Sequence, residues 1–118
     1  MSAMPSTVID SESSVFTVIN EFRVTATQQA EIRRRFPALM TDVVSKAPGF
    51  ISGNLHVSMD GERVLTYYQW ASIEAYAAFL ADEVAASRVA AVIDEYGPDR
   101  RPYEVVFQVW GRETAAHR

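Results

Sequence analysis

The segment Arg63–Phe79, RVLTYYQWASIEAYAAF, changes its hydrophobic period partway along, and that change restricts the folds open to the chain. Up to Trp70 it alternates. Val64, Thr66, Tyr68 and Trp70 fall on one face, and Leu65, Tyr67 and Gln69 on the other. β-Branched and aromatic side chains fill it, as suits a well-covered pleated surface. From Ser72 the spacing becomes helical, with Ile73, Tyr76, Ala77 and Leu80 recurring on one side. The Ser72 hydroxyl is an N-cap, and Glu74 meets the positive end of the helix dipole. A strand ending in Trp70 therefore runs almost directly into a helix carrying Tyr76. A site at this junction is large, aromatic and nearly free of charge.

The remaining chain supplies matching elements. Met1–Ser14 is polar and Ser-rich and reads as a disordered lead. Val15–Val24 alternates as a first strand, with Phe16, Val18, Asn20, Phe22 and Val24 on one face. Asn20 is the anomaly in that row. A buried amide without a partner costs about 1–3 kcal/mol, so it serves either a structural hydrogen bond or a ligand oxygen. Thr27–Lys46 carries the helical stripe Ile32, Phe36, Leu39/Met40 and Val43/Val44, interrupted by Pro37. The proline predicts a kink or two short helices meeting. A kink beside Phe36 and Met40 would widen a pocket or simply separate the helices.

Phe50–Ser58 reads as a second strand, with Ile51, Leu55 and Val57 on one face and Phe50, Ser52, Asn54 and His56 on the other. Asp60-Gly61 is a two-residue hairpin signal that joins it to Arg63–Trp70. Asp82 caps a further helix, Glu83–Tyr96, stopped by Gly97-Pro98. Arg88, beside its apolar positions, either snorkels to solvent or reaches an anionic substrate oxygen. Tyr103–Trp110, YEVVFQVW, reads as the fourth strand, and residues 112–118 as a flexible tail in which His117 is disordered.

Several function classes fall away. The 118 residues make one domain, placed at 15–111, and a 48% hydrophobic content is enough for a core. No apolar run reaches membrane-spanning length, and no basic-then-apolar leader marks a signal peptide. The absence of cysteine removes disulfides, thiolate nucleophiles and thiolate metal sites, in keeping with a cytoplasmic protein. Net charge is −4, and the only basic clusters, Arg33-Arg34-Arg35 and Arg100-Arg101, read as a solvated helix face and a loop rather than a nucleic-acid footprint.

The element order, strand–helix–strand–strand–helix–strand, fits an α+β ferredoxin-like split βαβ fold. Its antiparallel sheet has the order 4-1-3-2, with helices on one face. Strands one and three are then neighbours, so Asn20, Thr66 and Trp70 look into one space between sheet and helices. The opposite rows hold Val15, Ile19, Ile51, Leu55, Leu65, Tyr67, Val106 and Trp110. That much apolar surface predicts a homodimer pairing two sheets.

INEFRV at Ile19–Val24, APGFISGNLHVSMDGERV at Ala47–Val64 and YYQW at Tyr67–Trp70 resemble the antibiotic biosynthesis monooxygenase family. The resemblance runs roughly from Phe16 to Tyr76, with a looser fit through the last strand. It implies a dimeric ferredoxin-like α+β barrel. In pattern the chain is most similar to cofactor-independent anthrone oxygenases of aromatic polyketide pathways. There, an asparagine on the first strand, another on the third and a tryptophan four residues later are implicated in the reaction. Asn20 and Trp70 match two of these, and Tyr76 matches a pocket aromatic of some members. The third-strand asparagine is Thr66, a shorter group with one donor instead of two.

The resemblance implies O₂-dependent oxidation of a polycyclic phenol to a quinone without flavin, haem or metal. Phe22, Phe36, Met40, Tyr68, Trp70, Tyr76 and Phe79 would wall the site, while Asn20 and Thr66 would donate to the developing oxyanion. Haem degradation on the same fold needs an axial histidine in the second helical region, and Ser72–Tyr96 has none. An isomerase or cyclase, or a non-catalytic binding protein for a related aromatic ligand, remains the alternative.

Overall fold

The computed structural model describes residues 5–112. The tail reading for 113–118, with His117, and the first four residues of the lead lie outside the described residues. The elements are β1 (Phe16–Arg23), α1 (Ala26–Asp42), β2 (Phe50–Val57), β3 (Arg63–Trp70), α2 (Ile73–Ala81), α3 (Glu83–Ile93) and β4 (Asp99–Tyr103). Short 3₁₀ turns at Val44–Lys46 and Asp94–Tyr96 follow α1 and α3. The sheet order is β2-β3-β1-β4, all antiparallel, which is the expected 4-1-3-2 order read from the other edge. Among the described residues, no helix is long and apolar enough to cross a membrane.

Local chemistry accounts for the helix ends. Thr25 and Gln28 form a reciprocal capping box, with Oγ1 accepting from the Gln28 N–H at 3.1 Å and Oε1 from the Thr25 N–H at 2.9 Å. Ser72 accepts from the Ala75 N–H, and Asp82 from those of Val84 and Ala85. Pro37 does not divide α1, which runs unbroken to Asp42. The proline is exposed, so water can take up the carbonyl it leaves unpaired.

Three expectations change. The fourth strand is Asp99–Tyr103, paired with Glu21–Thr17, and not Tyr103–Trp110. After Gly97, at φ +62°, the chain returns directly beside β1 and begins pairing at Asp99. β-Branched alternation marks a strand-capable segment, but the neighbouring backbone decides which residues pair. Pro102 is tolerated because β4 is an edge strand. Second, a bulge at Ile51 breaks the β2 register, so Phe50 pairs with Trp70 while Leu55 and Val57 pair with Thr66 and Val64. Phe50 and Leu55 thus share the helix-covered face, contrary to strict alternation. Third, the Asp60-Gly61 hairpin is longer than two residues, since Ser58 donates its N–H to the Arg63 carbonyl and Gly61, at φ +82°, donates to Ser58.

The core lies between the sheet and the helices in two clusters. One joins Phe22, Val64, Ile32, Phe36, Leu39, Val43, Ile93 and Tyr96. The other joins Val18, Tyr68 and Trp70 to Val44, with Phe50, Tyr76 and Phe79 packed against it. Residues of the lead make hydrogen bonds on the far face of the sheet. Thr7 Oγ1 donates to Asn54 Oδ1 at 3.0 Å, and Gln69 Nε2 to the Val8 carbonyl at 2.8 Å. Gln108 accepts from the Ser11 N–H and donates to the Ile9 carbonyl.

Candidate active site

The second cluster borders a cavity of about 280 Å³ between the sheet and α2 and α3. Val18 and Asn20 from β1, Tyr68 and Trp70 from β3 and Arg100 from β4 form its sheet wall. Tyr76, Phe79 and Leu80 from α2, and Ala86, Val89, Ala90 and Ile93 from α3, close it, with Val44 and Asp94. The α2 residues are there because Ser72 starts a helix almost at the end of β3, which turns the next aromatic residues back over Trp70. Trp70 packs against Phe79 with centroids 5.2 Å apart, against Tyr76 at 5.6 Å and edge-on to Phe50 at 5.2 Å. The alanines on α3 add little bulk to the opposite wall. A larger hollow of about 480 Å³, lined by Glu21, Arg23, His56, Arg63 and Asp99 among others, includes neither Asn20 nor Trp70, and His56 is exposed.

Sheet register sets the polar part. Asn20 stands opposite Thr66 on one side and Arg100 on the other. Its Nδ2 donates to Thr66 Oγ1 at 3.0 Å. Among the described residues, two buried side-chain polar atoms have no hydrogen-bond partner, namely Asn20 Oδ1 and Trp70 Nε1. Each omission costs roughly 1–3 kcal/mol, and a native fold seldom carries two such groups in one place without use for them. Both belong to walls of this cavity, one an acceptor and one a donor.

The titratable groups are few. Burial pushes the Tyr68 phenol up to about 12, against the smaller opposing effects of the Thr66 hydroxyl and the Arg100 charge. Burial also raises Tyr76, again opposed by Arg100. Both phenols are therefore neutral donors at ordinary pH. Among the described residues, the lining contains no histidine, cysteine, lysine or glutamate, and its charges are Asp94 and Arg100.

The expected site residues divide. Asn20, Tyr68, Trp70, Tyr76 and Phe79 meet at the cavity. Thr66 is buried behind Asn20 and holds its amide without lining the space. Phe22 and Phe36 are core residues in edge contact with each other at 5.6 Å, because β1 and α1 face each other beyond the cavity's end. Met40 lines a separate hollow with Pro37, Thr41, Ser45, Phe50, Gly53 and Leu55. Arg88 is exposed over another cleft, beside Asp42, Lys46 and Asp82. Arg100, a loop residue by the sequence pattern, reaches the cavity because β4 begins four residues earlier than the apolar alternation indicates. Placing the strand directly after Gly97-Pro98 would have put it level with Asn20.

The profile of the antibiotic biosynthesis monooxygenase family matches residues 15–90. Tetracenomycin-F1 monooxygenase of Streptomyces glaucescens is 36% identical over 74 residues, which cover 63% of this chain and 66% of that protein, just under two thirds of its length. The fold is similar to that of a monooxygenase from the gene ActVA-Orf6 of Streptomyces coelicolor, solved with nanaomycin D. The TM-score is 0.69 at 22% identity, over 86% of this chain and 96% of that one. It is also similar to SnoaB, a cofactor-independent oxygenase from Streptomyces nogalater, with a TM-score of 0.64 at 16% identity, over 82% and 98% of the two chains. At these identities the solved structures share the fold.

Proposed function

The chain belongs to the antibiotic biosynthesis monooxygenase family, and from that premise we propose that it is a cofactor-independent monooxygenase that oxidises a polycyclic phenol of the anthrone or dihydroquinone type to a quinone. The observation that carries this reading is the pairing of Asn20 Oδ1 and Trp70 Nε1, both buried and both unpartnered, in the wall of one aromatic cavity. The ring-lined walls suit a flat ligand and exclude water. In the reaction, an activated CH₂ of the substrate loses a proton and the resulting carbanion reduces O₂. One oxygen atom ends in the new carbonyl, and the other leaves as water with the two hydrogens of the CH₂. The substrate supplies the electrons. The Trp70 N–H holds an oxygen atom on which negative charge gathers, while Asn20, held by Thr66, presents Oδ1 as an acceptor for a substrate O–H and offers its –NH₂ to the oxyanion only with the amide turned over.

Emodinanthrone tests this. The expected result is uptake of one O₂ per anthrone with the anthraquinone as product, at a rate unchanged by chelator and without added flavin or haem. An isomerase or cyclase on a related intermediate is the second reading. It is favoured by Thr66, which leaves Asn20 as the one amide in the wall. Binding of the anthrone without oxygen uptake would move the assignment to it or to a binding protein.

The protein is further proposed to act as a homodimer. Val106, Phe107 and Val109 are 80, 77 and 80% exposed, and Ile51 is half exposed. A sedimentation mass of two chains at micromolar concentration is expected, and a mass of one chain would count against the dimer.

A further inference from the structure

Among the described residues, Arg100 carries the one positive charge of the cavity lining, and its position follows from the sheet. It is the β4 residue directly across from Asn20, so Thr66, Asn20 and Arg100 lie in one row across β3, β1 and β4. Every other lining residue except Asp94 is uncharged. The Arg100–Asp94 pair is loose, at 3.6 Å between Nη2 and Oδ1, with the two side chains 40% and 64% exposed. That distance is long for a charge-assisted hydrogen bond, and a pair so exposed contributes little. An anion arriving from inside the cavity can therefore take the guanidinium from Asp94 at small cost. The charge is felt within the cavity, since it opposes the effect of burial on both Tyr68 and Tyr76.

We infer that Arg100 is the oxyanion receptor of this cavity, and that its ligand is a flat aromatic carrying an ionised oxygen, phenolate or carboxylate, at the β4 end. The inference rests on reading the cavity as an aromatic-ligand site and specifies the charge of what enters it. Guanidinium geometry suits either oxyanion, because a planar fork of donors meets one or two acceptor oxygens. For a phenol, binding completes an ionisation in which the O–H bond breaks, the proton passes to solvent and the electron pair stays on oxygen. Asp94 acts as the competitor that occupies Arg100 in the free protein. The aromatic walls then hold the ring system between Arg100 at one end and the Trp70 indole at the other.

The test uses dyes and does not depend on turnover. 1,2-Dihydroxyanthraquinone changes colour on ionisation, so its apparent pKa can be read free and bound to the full chain. Wild type is expected to bind the phenolate about tenfold more tightly than the phenol, lowering the bound dye's pKa by about one unit. Arg100→Gln should abolish the preference, weakening binding of the phenolate more than that of the neutral dye, and Asp94→Asn should increase it severalfold. Anthraquinone-2-carboxylate compared with its carboxamide gives the same reading for a carboxylate and shows which oxyanion is favoured. Equal affinity of wild type for charged and neutral forms in both pairs, retention of the preference by Arg100→Gln, or no binding of any dye would each overturn the inference. Oxygen uptake on emodinanthrone is measured in parallel. Uptake without an anion preference sinks the role of Arg100 alone, and an anion preference without uptake sinks the oxygenase reading alone.

Discussion

Asn20 and Thr66 face each other across β1 and β3, and the Asn20 amide donates to the Thr66 hydroxyl at 3.0 Å, leaving Oδ1 unpaired in the cavity wall. A hydroxyl both donates and accepts. If the amide turns over, Oδ1 takes the Thr66 proton and the –NH₂ is the group left for a ligand. The pair can thus offer the cavity an acceptor or a donor without losing its internal bond. A second asparagine in place of Thr66 would have supplied an independent amide. Here the third strand supplies the hinge for the first.

Thr66→Val keeps the shape but leaves the Asn20 amide without its partner. The variant should lose about 1–3 kcal/mol in urea unfolding and a comparable factor in kcat, whereas Thr66→Ser should recover both. If Thr66→Val has wild-type stability, Asn20 has another partner.

Asn20→Ala removes the acceptor or donor itself. On the oxygenase reading kcat should fall roughly a hundredfold or more, in line with about 2.7–4 kcal/mol for one oxyanion contact, while circular dichroism remains that of the folded protein. Near-full oxygen uptake would reduce Asn20 to a structural amide.

Phe36 and Phe79 should separate fold from site. Phe36, on α1, is fully buried against Phe22 of β1 and Tyr96, so Phe36→Ala should cost about 3–5 kcal/mol. Its folded fraction should keep its KM. Phe79 is half-buried over Trp70 and lines the cavity, so Phe79→Ala should raise KM for an aromatic ligand with a smaller loss of stability. Equal effects on both quantities in both variants would contradict this division.

Gly53 passes close behind the cavity. A Cβ there would lie 2.9 Å from Tyr68 Cε1 and 3.0 Å from Phe50 Cζ. Gly53→Ala should therefore shift the Tyr68 ring, cost about 1–3 kcal/mol and alter dye affinity. Unchanged affinity would mean that Tyr68 moves away from the cavity wall or is not needed there.

Stability should decline at high pH through Tyr68. Its folded pKa, about 12, lies above the ordinary tyrosine value of 10, so the folded chain holds the proton after the unfolded chain has released it. The contribution is complete below pH 10 and is lost as pH rises toward 12, for a change on the order of 2–3 kcal/mol. Tyr68→Phe should flatten most of that slope in denaturant titrations between those limits. Tyr76 and Tyr96, also raised by burial, should leave a remainder.

Local periodicity and capping determined much of this protein before any tertiary contact is considered. The alternation of Arg63–Trp70, the hydroxyl of Ser72 and the carboxylate of Asp82 specify β3, α2 and the start of α3 using neighbours a few residues away. The same alternation puts Asn20 and Trp70 on one face, and the element order leaves few topologies that bring those faces together. What the tertiary structure decided is everything that depends on a distant backbone. The bulge at Ile51 sets which β2 residues meet Trp70 and Thr66. β1 selects the polar Asp99–Tyr103 over the more strand-like YEVVFQVW, and that choice alone brings Arg100 to Asn20. A side chain's periodicity records which way it faces along its own strand. Which residue lies beside it is fixed by hydrogen bonds to another strand, and no local pattern encodes those.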